Sequence, residues 1–461
     1  MLNYKLFALQ KLTRIAPRYL PFADVATENV PLSQLLRLSL FQVTVGMALV
    51  LLVGTLNRVM IVELNVPASL VSIMLALPLV FAPFRALIGY KSDTHRSAFG
   101  WRRVPFIWKG TLMQFGGFAV MPFALLVLSG YGESINSPLW LGHGSAAIAF
   151  LMVGAGVHMV QTAGLALATD LVRDEDQANV VGLMYVMLLV GMIVSAFVFG
   201  LLLENYSPGR LIQVIQGAAV LTVLLNVVAM WKQEGRDRAR ATSQAQHPKF
   251  TEAWRGFAQV PDAMRLLVII GLGTAGFGMA EVLLEPFGGQ VLGMSVAATT
   301  KLTAVMALGS LVGFAVASRV LSREGNPAKV SASGALIGLP AFGLIILTAY
   351  MDNVVLFGLA TLAVGLGAGL FGHGTLTATM RAAPRDQVGL ALGSWGAVQA
   401  TAAGVAIAIG GIIRDSLAGG TGASGAYLPV FWIEIGLLAL AVAALVPLLL
   451  TRPGRQRATR A

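Results

Sequence analysis

The sequence predicts an all-α integral membrane protein with twelve transmembrane helices arranged as two six-helix repeats. Three observations lead there. Of 461 residues, 56% are hydrophobic and only 11% charged, and the mean hydropathy of +0.77 is above that of a soluble domain of this length. A bilayer core about 30 Å thick needs about 20 apolar residues per helix, and such windows recur twelve times along the chain. The longest polar stretch, "WKQEGRDRARATSQAQHPKFTEAWRGFAQVPD" from Trp231 to Asp262, divides those windows six and six.

The elements follow in order. Residues 1–37 form a basic segment, and "LNYKLFALQKLTRI" sets Leu2, Leu6, Leu9 and Leu12 on one side with Lys5, Lys11 and Arg14 elsewhere. That is the pattern of a short interfacial helix on an anionic leaflet. The first long apolar run begins near residue 38, after Pro17, Pro21 and Pro31, so no cleavable signal is expected. The windows fall at 38–62, 67–90, 104–128, 142–168, 180–203 and 209–231, then at 265–286, 297–318, 330–350, 353–379, 388–412 and 428–450. The organisation read from them is an N-terminal half over 38–231, an inter-half loop over 232–264, a C-terminal half over 265–450 and a basic tail over 451–461.

Of the 32 Lys and Arg, 27 fall on the side of the two termini; Arg58, Arg210, Lys301 and Arg414 lie at the other side and Arg85 within a window. Positive residues accumulate on the cytoplasmic side, so both termini are expected there. The same asymmetry accounts for the net charge of +11 without nucleic acid, because bases facing anionic lipid headgroups are the ordinary case. Two matches point to duplication. "ATDLVRDEDQ" at 168–177 overlays "ATMRAAPRDQ" at 378–387 with an offset of 210, and "VGAG" at 153 overlays "VGLG" at 364. Two parallel six-helix repeats are the organisation of the major facilitator superfamily, which the chain resembles.

Arg85 is expected near the cytoplasmic end of helix two, where its long side chain can reach the headgroups or an acid at the bundle interface. The stretch that follows, "GYKSDTHRSAFGWRR", resembles the superfamily's loop between helices two and three, with Gly89, Asp93, Gly100, Arg102 and Arg103 matching in order. The gap from Asp93 to Gly100 is longer than usual. The resemblance implies a cytoplasmic latch between the halves. Asp170, Arg173, Asp174, Glu175 and Asp176 at the inner end of helix four are candidates for the same latch, with Arg85 or Arg381 as partners of the acids.

Two stretches resemble a narrower group: "GTLNRVMIVELNVPASLV" at 54–71 and "PLVFAPFRALIGYKSDTHRSAFGWRRVPFIWKGT" at 78–111. They are similar to the PucC and LhaA family, the bacteriochlorophyll delivery group of the major facilitator superfamily. The region "IAPRYLPFAD" and the overall length look closest to its PucC branch, associated with the peripheral light-harvesting complex LH2. What the resemblance implies is a nonenzymatic assembly role in a bacterial photosynthetic inner membrane. The partners would be antenna polypeptides, membrane lipids and bacteriochlorophyll as bound cargo.

Bacteriochlorophyll carries a magnesium that takes an axial ligand, and a neutral imidazole suits it. Helical side chains tilt toward the N-terminus, so a macrocycle on a histidine needs a small residue one turn earlier. "GAGVH" supplies Gly154 and His158, and "GLFGH" supplies Gly369 and His373, at depths expected to be comparable in duplicated helices. Glycine-rich helix packing, with the imidazole bonded to a neighbouring helix, is the other reading of both. His143 lacks the small residue one turn back.

Glu281 and Glu285, spaced i to i+4 on one helical face, are candidates for a proton relay or gate, since intramembrane carboxylates default to function. Pro286 and Gly288 suggest a helix break there, which would instead set Glu285 among the outer headgroups. Other chemistries find little footing. With no cysteine, disulfides, thiol catalysis and cysteine-held metals are excluded. "GLGTAGFG" at 271–278 contains G-x-G-x-x-G but follows no strand, and no Walker loop occurs, so no nucleotide is expected. Nor does a nucleophile, base and oxyanion constellation stand out. Helix five also lacks the Gly-Pro pair of proton-driven antiporters. The alternatives to pigment delivery are a proton-coupled transporter of a small solute or pigment precursor, working through Glu281, and a pigment-free chaperone of antenna helices.

Overall fold

The computed structural model describes residues 30–80, 101–130, 136–173, 176–234, 262–323, 325–382, 388–418 and 422–450, together with residues 85, 88, 91, 92 and 134. Gly89, Asp93, Gly100, Asp174, Glu175, the N-terminal interfacial segment and most of the inter-half loop lie outside these residues. The described residues form twelve helices: α1 (Leu32–Glu63), α2 (Ala68–Val80), α3 (Val104–Ser129), α4 (Leu139–Asp170), α5 (Gln177–Leu202) and α6 (Pro208–Met230), then α7 (Ala263–Gln290), α8 (Val296–Leu321), α9 (Pro327–Met351), α10 (Val354–Ala382), α11 (Val388–Ala418) and α12 (Gly422–Leu450). Eleven are long and apolar enough to cross a bilayer, and the described part of α2 is a shorter apolar helix. The chain is a multi-pass membrane protein.

Helices are what such a sequence must form, because lipid offers no partner to a backbone N–H or C=O. Their starts are set by side chains that accept the first orphan amides: Ser207 from Arg210 in α6, Ser295 from Ala298 in α8, and Asn326 from Ala328 in α9. Pro208 and Pro327 stand in first turns, where the missing N–H costs nothing. Gly130 ends α3 in the left-handed region at φ 60°.

Much of the glycine is spent on helix contact. A side-chain carbon at Gly156 would come within 2.5 Å of the Gly110 carbonyl oxygen, and one at Gly334 within 2.5 Å of the Gly367 oxygen, so α3 with α4 and α9 with α10 pack backbone to backbone. The pairing repeats with a shift of six helices. α3 packs on α4 and α6 as α9 packs on α10 and α12, and α1 packs on α5 as α7 packs on α11. The two sets of six meet along matching seams, α2 with α11 and α5 with α8. This is the all-α major facilitator architecture expected from the sequence.

Two helices depart from regularity. α1 turns π-helical over Val50–Leu56 and again over Val59–Glu63. α7 is broken: α-helix to Gly278, a 3₁₀ turn over Ala280–Val282, and a short helix from Leu284 to Gln290. The two irregular stretches face one another, which positions the candidate site.

Candidate functional site

A break in a membrane helix frees backbone groups that must find partners or stay unpaired in a low-dielectric interior. At the α7 break both neighbours supply them. The Ala280 N–H donates to Glu434 Oε1 of α12, and the Val282 carbonyl accepts from Asn57 Nδ2 of α1. Asn57 also donates to the Val53 carbonyl within α1. Glu434 and Asn57 have no solvent exposure. Irregular membrane helices sustained in this way line substrate or ion sites in transporter folds.

Three carboxylates gather here. Glu285 accepts a hydrogen bond from Thr303 of α8, while its Oε2 is buried without a partner. Gly54 of α1 leaves just the room it needs, since a carbon there would lie 2.5 Å from Glu285 Oε1. Glu434 also keeps an unpartnered Oε2. Glu281 lines a small cavity with Leu49, Val53, Gly54, Met192, Thr303 and Met306. The cavity volume is about 10 Å³, room for about one water. It does not admit a macrocycle.

The sequence placed the break at Pro286 and offered Glu285 to the headgroups. The structure corrects both. The break lies at Met279–Leu283, and Pro286 belongs to the first turn of the new segment, where a missing N–H is tolerated. Glu285 is therefore carried into the bundle, 3% exposed. Glu434, which completes the trio, went unnoticed in the sequence, although it is the one charged residue of α12.

Beyond the break the halves are tied together on the side away from the termini. Thr55 meets Thr300 at 3.2 Å, Arg58 donates to the Met294 carbonyl at 3.1 Å, and Lys301 meets Glu204 at 3.3 Å. Arg58 is also paired with Glu63, and its charge acts on Glu285. Asp415 of α11 accepts from the Ala68 and Ser69 amides at 3.2 and 2.7 Å, capping α2 across the seam. Arg414 holds Asp415 at 2.8 Å and, with Tyr427, bonds Gln290.

On the side of the termini, several of the acids and bases expected to latch the halves have described partners within one half. Asp170 takes Arg103 at 3.1 Å and Arg102 at 3.6 Å, both in its own half. The Arg102, Arg103 and Val104 amides all donate to Glu234 after α6. Arg381 donates to the Leu321 and Gly325 carbonyls, again within its half, and Arg173 pairs with Asp176. Arg85 turns to Gln161 and Thr162 of α4 and meets no acid among the described residues. Asp170 thus joins neither Arg85 nor Arg381, because the loop arginines reach it first.

The histidines stand apart from the carboxylates. His158 lies 12 residues before Asp170 in α4, and His373 lies 9 residues before Ala382 in α10. Each keeps a buried Nδ1 with no partner, the condition a metal-ligating imidazole requires. The clearance expected over the glycines is filled, however. A carbon at Gly154 would lie 2.5 Å from the Pro78 ring, and one at Gly369 2.3 Å from the Ser310 carbonyl oxygen. His158 faces the Pro78 carbonyl, and His373 packs on Phe314 with ring centroids 4.1 Å apart. His143 sits near the N-terminal end of α4, 15 residues before His158.

Comparison with known proteins fits this architecture. Solved structures share the fold at low identity: a variant of the nucleoside transporter NupG gives a TM-score of 0.68 at 14% identity, covering 90% of this chain and 99% of that one. A bacterial homologue of the iron transporter ferroportin, inward-facing, gives 0.64 at 14%, covering 90% and 97%. Sequence relatives are nearer. "Protein PucC" of Rhodobacter capsulatus is 63% identical over 98% of this chain and 100% of its own, and "Protein PucC" of Rhodovulum sulfidophilum is 65% identical over 89% and 91%. The "Bacteriochlorophyll synthase 44.5 kDa chain" of Rhodobacter capsulatus is 27% identical over 83% and 87%. The sequence pattern described as "PUCC protein" matches residues 55–452, and the chain belongs to that family.

Proposed function

We propose that this chain is an assembly factor for bacterial light-harvesting complexes, of the LH2 type, that holds bacteriochlorophyll and passes it to antenna polypeptides in the photosynthetic membrane. The reading is carried by the near full-length likeness to relatives from photosynthetic bacteria, one of them named for bacteriochlorophyll. Geometric support comes from His158 and His373, whose partnerless Nδ1 atoms fit an axial ligand to the pigment's magnesium. Pro78 and Ser310 fill the space beside them, so loading requires α2 to part from α4, or α8 from α10. No catalytic chemistry is assigned.

The test is an absorption spectrum of the detergent-purified protein from a pigment-producing host lacking its antenna polypeptides. A stoichiometric near-infrared band that shifts or fades in His158→Leu or His373→Leu supports pigment handling. A pigment-free preparation that still captures antenna polypeptides moves the function to a protein chaperone and rejects the pigment site.

One observation favours a second reading, a proton-coupled transporter: Glu281 lines a water-sized cavity beside a broken helix. That reading predicts pH-driven flux of a small solute or pigment precursor in proteoliposomes, abolished by Glu281→Gln. Flux unchanged in the variant rejects it.

A further inference from the structure

Arg85 is a cation set deep in the bundle. Its guanidinium meets α4 at Gln161 and Thr162, 8 to 9 residues before the helix ends at Asp170, about 12 Å at 1.5 Å per residue. Arg58, Arg103 and Arg414 each hold a carboxylate, whereas both Arg85 partners are neutral: Nε donates to Thr162 Oγ1 at 3.1 Å and Nη2 to Gln161 Oε1 at 2.8 Å. An arginine has five N–H groups, so three remain.

Among the described residues, the surroundings add donors and no acid to balance them. Gln161 Nε2 reaches Gln42 Oε1 of α1 at 3.5 Å, which leaves Gln42 Nε2 buried and unpartnered. Gln42 has no solvent exposure, while Arg85 is partly exposed and reachable. Tyr185 of α5 and His158 of α4 each lie close enough to interact with the Arg85 charge. A buried amide N–H without an acceptor is costly unless something supplies one, and a neighbouring cation with N–H groups to spare adds charge to the same spot. The chemistry that answers several converging N–H donors around a positive charge is an oxyanion.

We propose that Arg85, which follows α2, Gln42 of α1 and Gln161 of α4 form a subsite for the acidic group, carboxylate or phosphate, of an amphiphilic ligand. The apolar body of such a ligand would lie along the α2 and α4 surfaces. Two sources carry this chemistry: a magnesium tetrapyrrole whose side-chain acid is unesterified, and an anionic phospholipid. The subsite stands whether or not the chain delivers pigment, so its failure and that of the pigment reading are separable.

The experiment is a binding titration on the full-length protein in a neutral detergent, followed by intrinsic fluorescence. The probes are oleate against methyl oleate, bacteriochlorophyllide against its methyl ester, and phosphatidylglycerol against diacylglycerol. Each acid that uses the subsite should bind at least tenfold tighter than its neutral counterpart. Arg85→Gln should abolish that preference, and Arg85→Lys should keep part of it. Gln42→Leu, which leaves the charge in place, should weaken the acids severalfold and leave the neutral probes unchanged, and it covers the case in which the Arg85 variants fail to fold. Preference for bacteriochlorophyllide and oleate assigns a carboxylate cargo; preference for phosphatidylglycerol alone assigns a lipid. Equal binding of acids and neutral counterparts overturns the proposal, as does an acid preference that survives Arg85→Gln and Gln42→Leu.

Discussion

The Glu434 carboxylate takes the backbone N–H of Ala280 at the point where α7 leaves its helical register. One side chain from α12 thus sustains an irregular turn in another helix, and the unit to perturb is the pair. Glu434→Gln keeps an acceptor in place and should leave the thermal midpoint of the purified protein nearly unchanged. Glu434→Leu leaves the amide buried without a partner, which costs about 1–3 kcal/mol. Equal midpoints for the two variants would mean that the α7 break does not depend on this bond.

Asn57 serves the other side of the same break through the Val282 carbonyl. Intramembrane hydrogen bonds contribute about 0.6 kcal/mol on average, so Asn57→Leu alone should be mild. Paired with Glu434→Leu it should not be additive, since both bonds hold one turn, and a coupling of about 0.5 kcal/mol or more in a double-mutant cycle is the expected reading. Strict additivity would separate the two.

Asp415 caps α2 from across the seam, so Asp415→Ala removes an N-cap and a tie between halves in one step. A lost cap costs about 0.5–2 kcal/mol. The native chain has no cysteine, so a single reporter at Ser72, which is buried beside Gly411, can read the opening. Thiol labelling there should rise severalfold in Asp415→Ala, because 1–2 kcal/mol changes an equilibrium by about 5–30-fold. Unchanged labelling would show that the seam is held without the cap.

What was legible in the sequence was local. Hydropathy located the spans, because the run of apolar residues is itself what makes a bilayer-crossing helix, and α3 over Val104–Ser129 matches the window 104–128 closely. Glu434 was within reach of the same reading, as one acid in an otherwise uncharged apolar run. Pro286 misled, because proline marks either the end of one helical segment or the first turn of the next, and only the structure separates them. The partners of Val282 and Ser69 were beyond reach: Asn57 is 225 positions from the first and Asp415 346 from the second. Arg85 was singled out in the sequence as a charge in a span, but its partners Gln161 and Thr162 depend on how the chain after α2 meets α4.

The small-residue rule for the histidines left two readings of each glycine open, and Gly369 can decide between them. If Gly369 serves helix contact, Gly369→Ala forces α8 and α10 apart, because the new methyl would sit 2.3 Å from the Ser310 carbonyl oxygen. Overpacking of that kind costs about 1–3 kcal/mol. Gly343→Ala in α9, where nothing lies within 4 Å, should be neutral or gain up to about 1 kcal/mol from helix propensity. If Gly369 instead clears a macrocycle on His373, Gly369→Ala should lower copurifying pigment while the pigment-free protein keeps its thermal midpoint. A fall in midpoint without pigment assigns the glycine to packing. The parting of α8 from α10 would then be the step that any ligand of His373 must drive.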